Sequence, residues 1–314
     1  MRFALVLLLL ISIGCKQVKT ESAVSSSDRI ENKVEAITLL GDTLRTPVVT
    51  EGKAKENYQS AKQHYLENEN DPESLIWYGR RAGYVGQFQK AIEIFSEGIE
   101  KFPDDARFLR HRGHRYISTR QYDLAIMDFE SAAKLVEGLP EQIEPDGLPN
   151  SRNVPLSTLQ SNIWYHLGLA YYLKGDMPNA LKAYQNRTVT NRYDDNLVSG
   201  GHWLYMIFNR LEKPIEAERA IKEIHKEMDV IENTSYYNMC LFYKGVLNED
   251  ELEIETVGTS SNDVYLYGLG NWYLYNKKDT TTAKSLYKKL LEEGNSYSFA
   301  YLAAESDWKR FFAN

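Results

Sequence analysis

The sequence predicts an all-α solenoid of about five to six helix-turn-helix repeats, closed by capping helices. Three observations predict it. Large apolar residues recur at a spacing of thirty-four, small residues hold the same place in each copy, and a turn signal divides each copy into two helices. A fixed period with in-register small residues is more than the apolar spacing that any amphipathic bundle shows.

Residues 1–14 read as a cleaved signal segment. Arg2 is a short positive start, and Phe3 to Gly14 is almost wholly apolar. As a helix that run spans about 18 Å at roughly 1.5 Å per residue, short of a ~30 Å hydrocarbon core, so it fits a secretory signal better than a membrane span. Ile11-Ser12-Ile13-Gly14-Cys15 resembles the lipobox of bacterial lipoproteins, with Ser12 where leucine is usual. The resemblance implies diacylglyceryl transfer to the Cys15 thiol, cleavage before Cys15, and acylation of the new amine by a fatty acid such as palmitate. Several acyl chains anchor more firmly than one, at about 0.8 kcal/mol per buried methylene. Lys16-Gln17-Val18-Lys19-Thr20 carries no acidic residue, so the expected location is the bacterial cell envelope on a periplasm-facing membrane. Residues 15–50 are polar, include Ser25-Ser26-Ser27, and are expected to form a flexible tether. Within them, Ala36-Ile37-Thr38-Leu39-Leu40 is apolar enough to pack on the body.

The chain has 37 basic and 44 acidic residues, a net charge of −7 that becomes −8 when Arg2 is removed. That balance gives no global electrostatic case for nucleic acid. Cys15 and Cys240 are the two cysteines. With Cys15 lipidated, one thiol cannot form an internal disulfide, and the fold must rest on packing.

The solenoid is expected over residues 51–314. Ala54 to Glu67 places Tyr58, Ala61 and Tyr65 at helical spacing and would cap the first repeat. Leu75, Tyr78, Gly79, Phe88, Ala91 and Phe95 recur as Leu109, Arg112, Gly113, Tyr122, Ala125 and Phe129. They recur again as Trp164, Leu167, Gly168, Met177, Ala180 and Tyr184. Glycine inside a helix costs about 0.8–1.0 kcal/mol relative to alanine, a cost that makes sense where the missing Cβ lets a second helix approach. Weaker copies begin at Val198, Ile231 and Val264, the second of them eroded around Asn248 to Glu255, and Ser298 to Phe312 would cover the last apolar face. Between the second and third copies, residues 138–157 hold Pro140, Pro145, Pro149 and Pro155 and the turn signal Asp146-Gly147. This insertion reads equally well as a groove-side binding loop or as a surface excursion. Ser157 and Gln160 fit a capping box that restarts the helix.

The pattern resembles the tetratricopeptide repeat (TPR), strongly to residue 192 and less closely beyond. The resemblance implies a right-handed superhelix whose first helix in each repeat lines a concave groove for a protein or peptide. Repeat positions that face the groove in that family fall on Arg80, on Arg107, Arg110, His111 and His114, on Asn162, Tyr165, His166 and Tyr172, on Ser199, His202, Met206 and Asn209, and on Glu232 and Ser235. Arginine forks suit carboxylates, so an acidic peptide is the expected partner; a merely solvated charged face is the bland alternative. The family's chaperone-tail clamp expects lysine, asparagine, asparagine, lysine and arginine where Ile76, Arg80, His111, Asn162 and His166 stand, and that partner is not expected. His111, His114, His166 and His202 share the predicted face, and imidazole clusters bind zinc or shuttle protons. An enzyme or metal-dependent binder is therefore the alternative reading. Neither a phosphate-cradling glycine loop nor a Gly-x-Ser-x-Gly elbow occurs, and no cofactor is expected. Cys240, among Met239, Leu241 and Phe242, is expected to be a buried structural thiol.

Overall fold

The computed structural model describes residues 32–47, 51–145, 149–187, 193–252 and 260–313. The signal segment and Cys15 lie outside them. The described part of the expected tether is not a flexible strand. It forms an antiparallel hairpin of β1 (Val34–Ile37) and β2 (Thr43–Arg45), closed by a turn in which the Thr38 hydroxyl accepts from the Asp42 amide at 2.9 Å. The hairpin docks because its polar groups find partners on the body. The Glu35 carboxylate accepts from the Gln89 amide at 2.8 Å, and the Leu39 amide donates to Glu305.

A leading helix α1 (Lys53–Glu67) precedes the paired helices α2 (Pro72–Tyr84) and α3 (Phe88–Lys101), then α4 (Ala106–Ser118) and α5 (Tyr122–Leu135). After the insertion come α6 (Leu159–Lys174) and α7 (Met177–Arg187), α8 (Asp194–Arg210) and α9 (Pro214–Ala220). Helix α10 (Thr234–Tyr243) is followed by a single 3₁₀ turn at Glu249–Glu251, which is where the sequence reads an eroded second helix. The last pair is α11 (Ser260–Trp272), extended by a π turn at Tyr273–Lys277, and α12 (Thr280–Glu293), and α13 (Phe299–Phe311) ends the chain.

Local signals start these helices. Asp71 caps α2 by accepting from the Glu73 and Ser74 amides, with Pro72 at the first position, where its missing N–H costs nothing. Asp105 caps α4 by accepting from the Arg107 amide. Helix α6 is capped by Thr158, not by Ser157. The Ser157 carbonyl is already taken by the Glu144 amide at 3.1 Å, and Gln160 accepts from the Gln142 amide and donates to the Pro140 carbonyl. Helices end in phase as well. Gly86, Arg120, Gly175, Glu212, Gly245 and Lys278 all have positive φ, from 57° to 86°, and each follows the first helix of its pair. A left-handed residue there turns the chain back sharply enough for the second helix to pack on the first.

The small residues do what their spacing predicts. Ala91, Ala125 and Ala180 are completely buried. A Cβ added at Gly168 would lie 2.6 Å from Cδ2 of Tyr184, whose ring is itself buried. Gly168→Ala gains about 1 kcal/mol of helix propensity but meets an overpacking penalty of roughly 1–3 kcal/mol. The expected net result is a loss of up to about 2 kcal/mol in urea denaturation, and a raised midpoint would contradict the close approach.

Helix α13 is more than a cap. It packs on α6 and α11 as well as on α12, and places Ala300, Leu302, Ala303 and Ala304 in the core. Two charged residues anchor it. Glu305 accepts from Arg120 Nη2 at 2.7 Å, and Asp307 accepts from Arg210 Nη1 at 3.0 Å, all four side chains lying almost wholly out of water.

Candidate partner-binding surface

The first helices of the early repeats lie side by side, α2 against α4 and α4 against α6, and carry the predicted basic and aromatic residues. Much of this face is filled by the chain itself. Two segments fill it, the insertion from one side and α13 from the other.

The insertion delivers Glu144. Its carboxylate pairs with Arg110 Nη2 at 2.9 Å, accepts from Asn162 Nδ2 at 3.1 Å, and lies 3.9 Å from His111 Nε2. Arg80 donates to the Pro145 carbonyl at 2.8 Å while its guanidinium lies over Trp77 at 4.4 Å. Arg107 is turned onto Asp105 and Glu73 of its own neighbourhood, donating to Glu73 at 2.6 Å. Arg110 and His111, predicted as contacts for a partner, are thus buried against an internal carboxylate. Sequence spacing places them on the right face, but nothing in the spacing shows that Glu144 covers it.

Helix α13 delivers Phe299. His114 and His166 lie 4.6 Å apart between ring centroids, each 5.6 Å from Phe299. His166 Nδ1 donates to the Asn162 carbonyl at 2.7 Å. Tyr165, buried beside it, accepts from Trp203 Nε1 at 3.0 Å and carries Arg187 over its ring. His202 belongs to another cluster, its ring 4.9 Å from Tyr236 and 5.6 Å from Trp203.

These positions correct the metal-binding alternative. The four histidines do not converge, and no group of three or more histidine, cysteine, aspartate or glutamate residues suited to a metal ion occurs among the described residues. Burial, with help from Arg110 and Arg115, holds the His111, His114 and His166 pKa values well below the usual 6.5. Burial alone pushes His202 down to about 3. Arg110 donates to His111 Nδ1 at 3.1 Å, as an unprotonated ring nitrogen requires. The rings are packing and hydrogen-bonding groups in their neutral form. Cys240 is buried, donates to the Val198 carbonyl at 3.5 Å and has its pKa raised by burial, as a structural thiol should.

Two open cavities flank the insertion. One, of about 820 Å³, is bordered by Arg80, Arg107, Ile143 and Glu144; the other, of about 770 Å³, by Trp164, Lys134, Lys182 and Leu167. Leu139 borders both.

Two tetratricopeptide-repeat family models match the chain, one over residues 79–140 and another over residues 163–186 and 265–293. Tetratricopeptide repeat protein 21B of Xenopus laevis is 28% identical over 83 residues, a stretch covering 26% of this chain and 6% of that protein. Among solved structures, YrrB, described as a TPR protein with an unusual peptide-binding site, is similar with a TM-score of 0.44 and 15% identity, covering 80% of this chain and 98% of that one. A putative kinesin light chain with TPR-like repeats from Podosopora anserina gives a TM-score of 0.42 at 13% identity, covering 77% and 99%. The fixed period, the in-phase left-handed turns and the matched stretches agree: residues 79–140, 163–186 and 265–293 carry tetratricopeptide repeats within an all-α array of helix pairs.

Proposed function

We propose that this protein is a lipid-anchored interaction scaffold of the bacterial cell envelope. Cys15 is its acylation site, and a protein or peptide partner binds on the concave side of the early repeats. The repeat fold supports the scaffold reading, since stacked helix pairs build extended concave surfaces suited to partners. The observation that carries the placement is the 820 Å³ cavity between α2, α4 and the insertion, the part of the concave face that neither Phe299 nor α13 fills. Arg80 borders it together with Glu73, Asp104 and Asp105 and offers donors to a polar segment, while Ile143 and Leu139 offer apolar contact.

The test uses the full-length protein in membranes. Cys15→Ser is expected to abolish fatty-acid labelling and leave an unprocessed or mislocalised chain; normal labelling would remove the anchor. Arg80→Glu is expected to abolish partner capture by in-membrane crosslinking without loss of helical circular dichroism. Capture at wild-type yield would remove the concave face as the working surface.

A further inference from the structure

Residues 139–145 of the insertion run without turn or bend, and their backbone groups are used on one side only. The Pro140 carbonyl accepts from Gln160 Nε2 at 2.8 Å, and the Gln142 amide donates to Gln160 Oε1 at 3.0 Å. The Gln142 carbonyl accepts from the Leu159 amide at 2.8 Å, and the Glu144 amide donates to the Ser157 carbonyl at 3.1 Å. Between those last two bonds Ile143 faces Thr158 in an antiparallel bridge. The bonds flank that pair instead of joining it, so the Ile143 N–H and C=O point to the opposite edge. Glu141, two residues back, shares the edge. Neither residue's amide or carbonyl has a hydrogen-bond partner among the described residues.

The edge is fixed before anything binds to it. Glu144 is buried against Arg110 and Asn162, and Arg80 donates to the Pro145 carbonyl at 2.8 Å, so side chains from three helices hold the stretch. A strand already held in place loses little freedom on pairing. Exposed edges are usually blunted by charge, cover or proline, because they pair with other chains. Pro140 and Pro145 keep this one short, yet its apolar side chains face outward, with Leu139 55% and Ile143 57% exposed. Space lies beside it, since Ile143 borders the 820 Å³ cavity and Glu141 the 770 Å³ one.

Charge selects what fits there. Residues 135–145 contain Glu137, Glu141 and Glu144 and neither lysine nor arginine. Glu144 is taken by Arg110, whereas Glu141 is exposed and forms no ion pair among the described residues. In the larger cavity Arg107 is occupied by Asp105 and Glu73, and Lys101 by Glu97. Lys134 and Lys182 border the other cavity, and neither pairs with Glu141. Alternation places Leu139, Glu141 and Ile143 on one face, so a complementary strand carries apolar, basic and apolar residues at alternate positions.

We propose that the open edge at Glu141 and Ile143 is a docking site for an extended segment of a partner. The segment adds to the insertion as an antiparallel strand, with an apolar residue opposite Ile143 and a basic residue, two positions later, opposite Glu141. Main-chain bonds hold such a strand and alternate side chains select it. The inference rests on the reading of the array as a scaffold for a protein or peptide, and it names the backbone contact that holds the partner.

The probe is a fluorescein-labelled peptide, Thr-Val-Thr-Lys-Thr-Val, titrated by anisotropy against the full-length protein in detergent. Saturable binding is expected. N-methylation of the first valine removes the amide that meets the Ile143 carbonyl and is expected to weaken binding about tenfold. N-methylation of the threonine after it, whose amide points away from the edge, is expected to change binding by about twofold or less. Ile143→Pro removes the donor on the protein side and is expected to weaken binding about tenfold, with helical circular dichroism unchanged. Glu141→Lys is expected to weaken it about fivefold, and glutamate in place of the peptide's lysine to restore it. Equal loss from both N-methylations, or loss from neither, would overturn strand pairing. Binding indifferent to Glu141→Lys would overturn the proposed register. A dimer in sedimentation that Ile143→Pro disperses, with no peptide bound, would overturn the peptide and give the edge to a second copy. Should Ile143→Pro fail to fold, the two N-methylated peptides decide. Partner capture that needs Arg80 while the peptide ignores the edge would remove this docking site and leave the scaffold reading. The expected peptide pattern with capture indifferent to Arg80 would remove the concave-face reading and leave the edge.

Discussion

Glu305→Leu is expected to destabilise the fold by about 3–5 kcal/mol, because it leaves the Arg120 guanidinium buried with no counter-charge. The Arg120 side chain is 2% exposed and that of Glu305 is completely buried. The pair also joins three distant parts of the chain. Arg120 sits in the α4–α5 turn, Glu305 lies on α13, and Glu305 accepts the Leu39 amide of the hairpin. Arg120 further donates to the Ser118 and Ser296 carbonyls, so its position is fixed by several bonds and cannot relax to water. Replacing both partners is a different experiment. Arg120→Met with Glu305→Leu removes both buried charges, and such exchanges are often neutral or stabilising, so the double variant should recover most of the loss. Urea denaturation followed at 222 nm checks both, and hydrogen exchange at the Leu39 amide reports whether the hairpin loosens. A single variant within about 1 kcal/mol of wild type would mean that Arg120 finds water, and that α13 is not tightly seated.

Stability is also expected to fall steeply in mild acid. The pKa of His202 is depressed to about 3 by burial, while an unfolded histidine takes its proton near 6.5. Between those values the unfolded chain binds the proton and the folded chain does not, so acid favours unfolding. The contribution is intact above about pH 6.5 and declines as pH falls below it, reaching about 2 kcal/mol for this one residue at pH 5, one and a half units down at 1.36 kcal/mol each. His111 and His166, also buried with depressed pKa values, act in the same direction. Carboxylates contribute to acid unfolding too, and a variant separates them. His202→Phe keeps a ring among Trp203, Tyr236 and Tyr243 but cannot take up a proton in the unfolded state. Its stability should therefore fall less steeply between pH 6 and pH 4, by about one proton's worth, or 1.4 kcal/mol per unit. Equal slopes for variant and wild type would show that His202 is protonated in the folded protein.

The repeats were legible because their determinants are local. Gly168 and Tyr184, or Gly113 and Phe129, are sixteen residues apart and meet through one turn, so their spacing in the chain is enough to pair them. The same holds for Asp71 capping α2 and for Ser298 opening α13. A helix of known phase likewise fixes which residues share a side. Three features were not legible. The hairpin's strands are only four and three residues long, and although Ala36 to Leu40 is apolar, its docking depends on Glu35 and Leu39 finding donors and acceptors on helices far along the chain. Glu144 stands among prolines, and only the path of the insertion brings it to Arg110. The pairing of Arg120 with Glu305, 185 residues later, depends on the angle through which every intervening repeat turns.

Local signals in the chain were thus enough for a tetratricopeptide-type helical array and for where each helix pair turns. Only the tertiary structure decided that the inner surface is largely occupied by the insertion and by α13. The reason is one of range. Period, capping and small-residue contacts act within one repeat, whereas closure of the array sums small rotations over all the repeats, and no single stretch of sequence carries that sum.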